Sequence, residues 1–328
     1  MTDDEPVEQI DVVIDNSDKT YSVLLEGPDA TVCAEVPRMP SNSTAYQSEA
    51  ELEREFIAQL CRQGYEQVGV HDQDGLIANL RRQVERLNGF IFADADWDVF
   101  FRTQIANAAD GIVEKTRRIQ KAPVIDFTCA DGTLRNIMLI DREHIHRNCL
   151  QVMNQYEANE GSHENRYDVT ILVNGLPLVH VELKRRGVVL REAFNQIERY
   201  QRESFWSQSG LFEYVQLFVI SNGSRTKYYS NTTRWQKTHA ELGKKASASY
   251  QFTSWWTDAE NHRIMDLVPF TASFFSRGTL LMVLTHYCVL DVDDNLLVMR
   301  PYQICATERI LNRILISELD KKRWGTLA

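Results

Sequence analysis

The chain has 328 residues, 43% of them hydrophobic and 25% charged, the make-up of a soluble globular protein with material for one large domain or two ordinary ones. Its net charge of −10 argues at first sight against nucleic acid, and no apolar run approaches the eighteen or so residues of a membrane span. The acidic start "MTDDEPVEQIDVV" is unlike a secretory signal, which opens basic. Six scattered cysteines without a CxxC pair fit reduced thiols, so a cytoplasmic location is expected.

The charge is unevenly spread. Residues 1–60 carry fourteen Asp/Glu against three Lys/Arg, a net of −11, whereas residues 184–245 carry twelve Lys/Arg against five Glu, a net of +7. The overall sign therefore conceals a basic segment.

Residues 1–45 form an acidic extension rich in Ser, Pro and Asp. A helix follows in "SEAELEREFIAQLCRQGY", where Ser48 and Glu51 make a capping box and Gly64 is placed to end it. Leu52, Phe56, Ile57 and Leu60 make its buried stripe; Glu53 borders that stripe and Glu49 lies one turn earlier. Residues 76–120 read as mostly helical and 123–160 as strands, with His144 and His146 as surface residues rather than a metal pair. "YDVTILVNGLPLVHVELK" reads as two strands around Asn174-Gly175. "VLREAFNQIERYQRESF" returns to helical period, and "YVQLFVISNGSRTKYYSN" gives two more strands around Asn222-Gly223. This order describes an α/β fold, a mixed sheet flanked by helices.

Chemistry concentrates at the end of "VHVELKRRG". Val179, Val181 and Leu183 alternate as on a half-buried strand, so His180, Glu182 and Lys184 share the opposite face. If Asn174, Gly175 and Leu176 form the loop, Val173 pairs with Pro177 and Asp168 lies opposite Glu182, with Cβ atoms roughly 4.5–5.5 Å apart. Two carboxylates that close repel and raise each other's pKa, and a hard divalent cation such as Mg²⁺ removes the conflict. Lys184 stands about 6.6 Å further along the same face, in reach of a water or phosphate oxygen. Two acids and a lysine around one metal suit phosphodiester hydrolysis.

Asp168, thirteen residues and Glu182-Leu183-Lys184 resemble the signature of PD-(D/E)xK nucleases, and Gln196 to Tyr200 add a QxxxY element. Together with "YQSEAELEREFI", "NRYDVTILVNGLPLV", "REAFNQIERY", "LFVISNG" and "LLVMRPYQ", they are similar to the N-terminal region of the restriction (HsdR) subunit of type I restriction–modification enzymes, in its EcoR124-like branch. The sequence departs in having Tyr167 where the nominal motif has proline.

The resemblance implies a restriction-endonuclease-like core at residues 46–260. Asp168, Glu182 and the Leu183 carbonyl would hold Mg²⁺, with Glu53 as a further acid from the first helix and Glu49 as its substitute. Lys184 would act on the attacking water, and Gln196 and Tyr200 would order the site. Arg185, Arg186, Arg225, Lys227, Arg234 and Lys237 are expected phosphate contacts. Residues 261–328 would be a linker and the beginning of a superfamily 2 motor, with Gln303 of "RPYQ" reading the adenine of ATP. No GxxxxGK[ST] loop occurs, so the chain is expected to be an N-terminal fragment without ATPase activity. Double-stranded DNA and the methyltransferase (M) and specificity (S) subunits are the implied partners. A repair or junction-resolving nuclease and a non-catalytic assembly module are the competing readings.

Overall fold

The computed structural model describes residues 47–158, 165–203, 210–231, 250 and 252–325. The acidic extension at 1–45 and the candidates Arg234 and Lys237 lie outside the described residues. Helix α1 (Glu49–Arg62) begins at the expected capping box: the Ser48 hydroxyl accepts the Glu51 N–H at 3.3 Å and Glu51 Oε2 accepts the Ser48 N–H at 2.9 Å. Leu52, Phe56, Ile57 and Leu60 are its buried apolar side chains, as their spacing requires, and Glu53 is buried beside them.

Strand β1 (Glu66–Gln67) follows, then α2 (Gln73–Asn88), α3 (Asp94–Phe100), which continues as a π-helical turn to Ile105, and α4 (Ile112–Lys121). Strands β2 (Val124–Thr128) and β3 (Leu134–Met138) form a separate two-stranded sheet. The remaining strands build the main sheet: β4 (Leu150–Ala158), β5 (Asn165–Val173), β6 (Leu176–Leu183), β7 (Leu217–Ser221) and β8 (Thr226–Ser230). The sheet runs β1-β4-β5-β6-β7-β8. Pairs β1/β4 and β6/β7 are parallel and the others antiparallel, a mixed sheet. Helix α5 (Leu190–Glu203) lies on the crossover that parallel pairing of β6 and β7 requires.

The β5–β6 hairpin differs from the sequence expectation at its loop. The turn has two residues, Asn174 (φ +50°) and Gly175 (φ +83°), and Leu176 belongs to β6, paired with Val173. Two left-handed residues make the tight turn whose twist matches the flanking strands. A Cβ on Gly175 would stand 2.6 Å from the Leu80 Cα, so glycine also lets α2 rest on the turn. Pro177 pairs with Leu172, and the ladder then shifts so that Ile171 faces Val179, with Leu178 as the extra residue of a bulge. The shift restores the expected register at the functional end, where Thr170 faces His180 and Val169 faces Val181.

Strands β9 (Trp256–Thr257) and β10 (Arg263–Ile264) form a short hairpin, followed by α6 (Leu267–Phe274), α7 (Arg277–Thr285), the hairpin β11 (Cys288–Leu290) and β12 (Leu296–Val298), and α8 (Pro301–Gly325). Helix α6 docks on α1: Gln59 Nε2 donates to the Val268 carbonyl at 2.8 Å and Gln63 Nε2 to that of Thr271 at 3.0 Å. The Phe56 and Phe275 rings meet edge-on at 5.4 Å, so residues after 260 share the hydrophobic core of α1 and the sheet. No single described helix is long and apolar enough to cross a membrane; α6 and α7 pass such a test only as a pair bent by 67°, and both are packed into the core.

Candidate active site

Strand β6 is buried along its whole length, so the carboxyl group of Glu182 has no access to bulk water. Its cationic partner is Lys184, whose Nζ donates to Glu182 Oε1 at 2.9 Å and to the Leu183 carbonyl at 3.2 Å. Asp168 comes from β5, next to Val169, which faces Val181, and its Oδ2 accepts the Leu183 N–H at 2.9 Å. The two carboxyl groups are close enough that the Glu182 charge acts on Asp168. Glu182 Oε2 receives no donor among the described residues and lies 3.6 Å from the buried His180 Nε2.

Burial, then the Glu182 charge, pushes the Asp168 carboxyl up to about 8. Burial pushes Glu182 up to about 7 against the pull of Lys184. Burial also takes His180 down to about 4, so its imidazole is neutral at physiological pH. Burial opposes the Lys184 charge, but Glu182 and its hydrogen bond outweigh that, and Lys184 stays above the usual lysine value. Both shifts favour the protonated form of the pair, and a positive charge placed beside it would oppose them. A buried carboxylate oxygen without a donor, beside a second carboxyl group, suits a hard divalent cation.

The two glutamates of α1 separate cleanly. Asn154 pairs with Val169, so it projects from the face opposite Asp168. Glu53 is held there: its carboxylate accepts from Asn154 Nδ2 at 2.6 Å and from Gln155 Nε2. Glu49, one turn earlier, instead accepts the Arg185 backbone N–H at 3.2 Å and acts electrostatically on both Glu182 and Lys184. The geometry therefore brings Glu49, rather than Glu53, towards the carboxylate pair. Gln155, between the paired residues Asn154 and Tyr156, has φ +57°, and its side chain turns to Glu53.

Helix α5 covers the Glu182 face of the sheet. Gln196 Nε2 donates to the Tyr200 hydroxyl, which donates to the Arg166 carbonyl at 2.8 Å, two residues before Asp168. The Tyr200 ring lies 4.9 Å from that of Tyr167 and 6.1 Å from that of His180. Tyr167 therefore fills the space beside the site with an aromatic ring. Burial and the Glu182 charge raise the Tyr200 hydroxyl pKa, so it remains a proton donor.

The basic candidates divide. Arg185 and Arg225 are exposed. Arg186 is occupied, contacting Gln47 at 3.4 Å, Ser224 at 3.5 Å and Asp266 at 3.8 Å. Lys227 donates to Thr253 Oγ1 at 2.9 Å and lies over the Tyr250 and Trp255 rings at 4.9 and 4.8 Å. Gln303 is exposed at the start of α8, where its Oε1 accepts the Arg300 N–H at 2.8 Å. Another group able to converge on a cation, Asp258, Glu260 and His262, lies at the β9–β10 turn with two of its members exposed. Sequence reasoning passed over it because a DxExH run on a loop has no fixed geometry before folding.

Comparison with known proteins places these residues in a family. Residues 46–237 match the model of the type I restriction enzyme R protein N terminus. The chain is 51% identical over 291 residues to the type I restriction enzyme EcoprrI endonuclease subunit of Escherichia coli, covering 87% of this chain and 90% of that protein. It is 36% identical over 288 residues to the SsaAORF53P endonuclease subunit of Staphylococcus saprophyticus and 37% over 290 residues to the SauCOLORF180P endonuclease subunit of Staphylococcus aureus. In both, the match spans 86% of this chain but 29% of the relative's length. The chain belongs to the type I restriction enzyme R protein N-terminus family.

Proposed function

We propose that Asp168, Glu182 and Lys184 are the metal-dependent DNA-cleaving centre of a type I restriction subunit, on a PD-(D/E)xK core. The observation that carries this reading is the half-buried Asp168 carboxyl beside the fully buried Glu182, with the Leu183 N–H bonded to the first and Lys184 to the second. Asp168 and Glu182 would hold Mg²⁺, together with the Leu183 carbonyl once Lys184 releases it, and Glu49 fits the role of additional acid better than Glu53. When bound, such a cation supplies charge stabilisation at the phosphoryl oxygens of the scissile bond.

The protein groups supply the rest. Lys184 carries an ammonium that Glu182 fixes in place, suited to orienting a water or a phosphate oxygen. Leu183, through its N–H, fixes the Asp168 carboxyl. Gln196 and Tyr200 tie α5 to β5 beside Asp168 and limit water entry from that side. In the intact enzyme we assign ATP use, with Gln303 at the adenine, to motor domains to which residues 261–328 lead. The M and S subunits and double-stranded DNA complete the assembly in the cytoplasm.

The test is the full-length subunit assembled with its methyltransferase and specificity partners and supplied with ATP, Mg²⁺ and circular DNA. Lys184→Ala should remove cleavage and leave ATP hydrolysis in place. A folded, assembled Lys184→Ala enzyme that cuts at the wild-type rate contradicts the assignment.

A further inference from the structure

Beyond the carboxylate centre, the most unusual charge arrangement lies at the far edge of the same sheet face. Glu182 on β6 is the direct partner of Ile220 on β7, and Ile220 is the direct partner of Lys227 on β8. Directly paired residues share a face, so Lys227 projects from the side that bears Glu182, two inter-strand spacings or about 10 Å away.

Lys227 is not alone there. Arg191, near the start of α5, stacks over Tyr250 at 5.2 Å, and Arg263 on β10 over Trp255 at 5.8 Å. Lys227 lies over both rings, and Arg225 acts electrostatically on Tyr250. The β9 segment is fastened to β8 by reciprocal backbone hydrogen bonds between Tyr228 and Ser254, which set Trp255 beside Lys227. Among the described residues, no carboxylate forms an ion pair with Arg191, Arg225, Lys227 or Arg263. The three arginines are exposed.

Cations gathered around two shared rings, without an ion-pair partner among the described residues, repel one another, in a chain whose net charge is −10. Among the described residues, no acidic side chain is set against them in an ion pair. Burial and the nearby Arg263 hold the Lys227 ammonium below the usual lysine value, so the repulsion is felt. The rings are covered by the cations and so offer little free face for stacking bases. What they do is fix two long arginine side chains and a lysine in one place before any ligand arrives. A polyanion with regularly spaced charges is the ligand chemistry that such an array fits.

We propose that Arg191, Lys227 and Arg263, stacked on Tyr250 and Trp255, form a preassembled clamp for the phosphodiester backbone of DNA beside the Asp168–Glu182 centre. The clamp rests on the nuclease reading for its ligand, and it adds a second contact region to that reading. At about 3.4 Å of helix rise per nucleotide, a backbone crossing the sheet edge passes from the carboxylate pair to the clamp within a few nucleotides. The aromatic rings contact the protein's cations rather than bases, so the clamp is indifferent to sequence.

The experiment measures binding of a short fluorescent duplex to the 328-residue chain in Ca²⁺ over a range of salt concentrations, by anisotropy. The Arg191→Gln/Arg263→Gln pair should weaken binding to unrelated sequences alike and flatten the slope of log K against log salt by about 1.8, two contacts at about 0.9 each. Arg191→Lys/Arg263→Lys should keep most of the wild-type slope. Trp255→Leu removes no charge and should still weaken binding several-fold, because Lys227 and Arg263 lose their support. If the glutamine pair melts early, the single Arg191→Gln carries the same test with half the slope change. An unchanged slope in a folded glutamine variant, or a wild-type chain that does not bind the duplex, overturns the clamp. The nuclease reading is scored separately by cleavage in the assembled Lys184→Ala enzyme, so either can fail while the other stands.

Discussion

Glu49 Oε1 accepts the backbone N–H of Arg185 at 3.2 Å, which fastens the first turn of α1 to the residue after Lys184. Glu53, a turn later on the same helix, is committed to Asn154 and Gln155 on the other face of the sheet. Two substitutions of the same chemistry should therefore act differently. Glu49→Gln should lower cleavage by the assembled enzyme about 10–100-fold, the usual cost of disturbing a group that supports a metal site, with little change in melting temperature. Glu53→Ala should instead destabilise the fold by about 1–3 kcal/mol, because Asn154 and Gln155 lose a buried acceptor. Cleavage rates beside thermal melting of the two variants check this; equal loss of activity without loss of stability in Glu53→Ala would return that residue to the site.

Gln196 and Tyr200 make a second pair with separable roles. Tyr200→Phe removes the donor to the Arg166 carbonyl and leaves Gln196 without its acceptor. A cost of about 1–3 kcal/mol is expected in chemical denaturation. Gln196→Ala loses one half-buried bond and should cost less, about 0.5–1.5 kcal/mol. A Tyr200→Phe chain as stable as wild type would show that the hydroxyl does not brace β5.

The raised carboxyl pKa values give the metal-free chain an unusual pH response. Asp168 titrates at about 8 and Glu182 at about 7 in the folded state, against roughly 3.9 and 4.3 in an unfolded chain. Between those limits the folded state holds more protons. The contribution of the pair is fully present below about pH 4 and is lost as pH rises through about 7 to 8. In EDTA the wild type should lose stability from pH 6 to 8.5 relative to Asp168→Asn, whose side chain does not titrate. Divalent ions should raise the wild-type melting temperature more at pH 8 than at pH 6, since they replace protons already leaving. Parallel wild-type and Asp168→Asn curves in EDTA would contradict the raised carboxyl pKa values of the pair.

Much of this geometry was legible in the sequence, for local reasons. The Ser48–Glu51 capping box and the Leu52, Phe56, Leu60 spacing specify α1 without reference to the rest of the chain. Alternation in β6 and the Asn174-Gly175 turn placed Asp168 opposite Glu182, although the route to that register was misjudged. A three-residue loop and a two-residue turn with a bulge at Leu178 give the same pairing beyond it, and short-range sequence signals do not distinguish them. The choice between Glu49 and Glu53 was not legible, because they stand one turn apart on one helix and only their partners from distant segments, Arg185 for one and Asn154 and Gln155 for the other, separate them. Arg191, Tyr250, Trp255 and Arg263 were out of reach for the same reason. They meet across 73 residues of sequence through the Tyr228–Ser254 bridge, which no local pattern announces.

The central claim is that Asp168 and Glu182 share one divalent cation within reach of Lys184. The most direct measurement is an anomalous difference map from crystals of the chain soaked in Mn²⁺. The account predicts a peak between the two carboxyl groups, bonded to an oxygen of each at about 2.1 Å, with the Lys184 ammonium beside it. A map with no density there, or with its peak at Asp258, Glu260 and His262 instead, contradicts it.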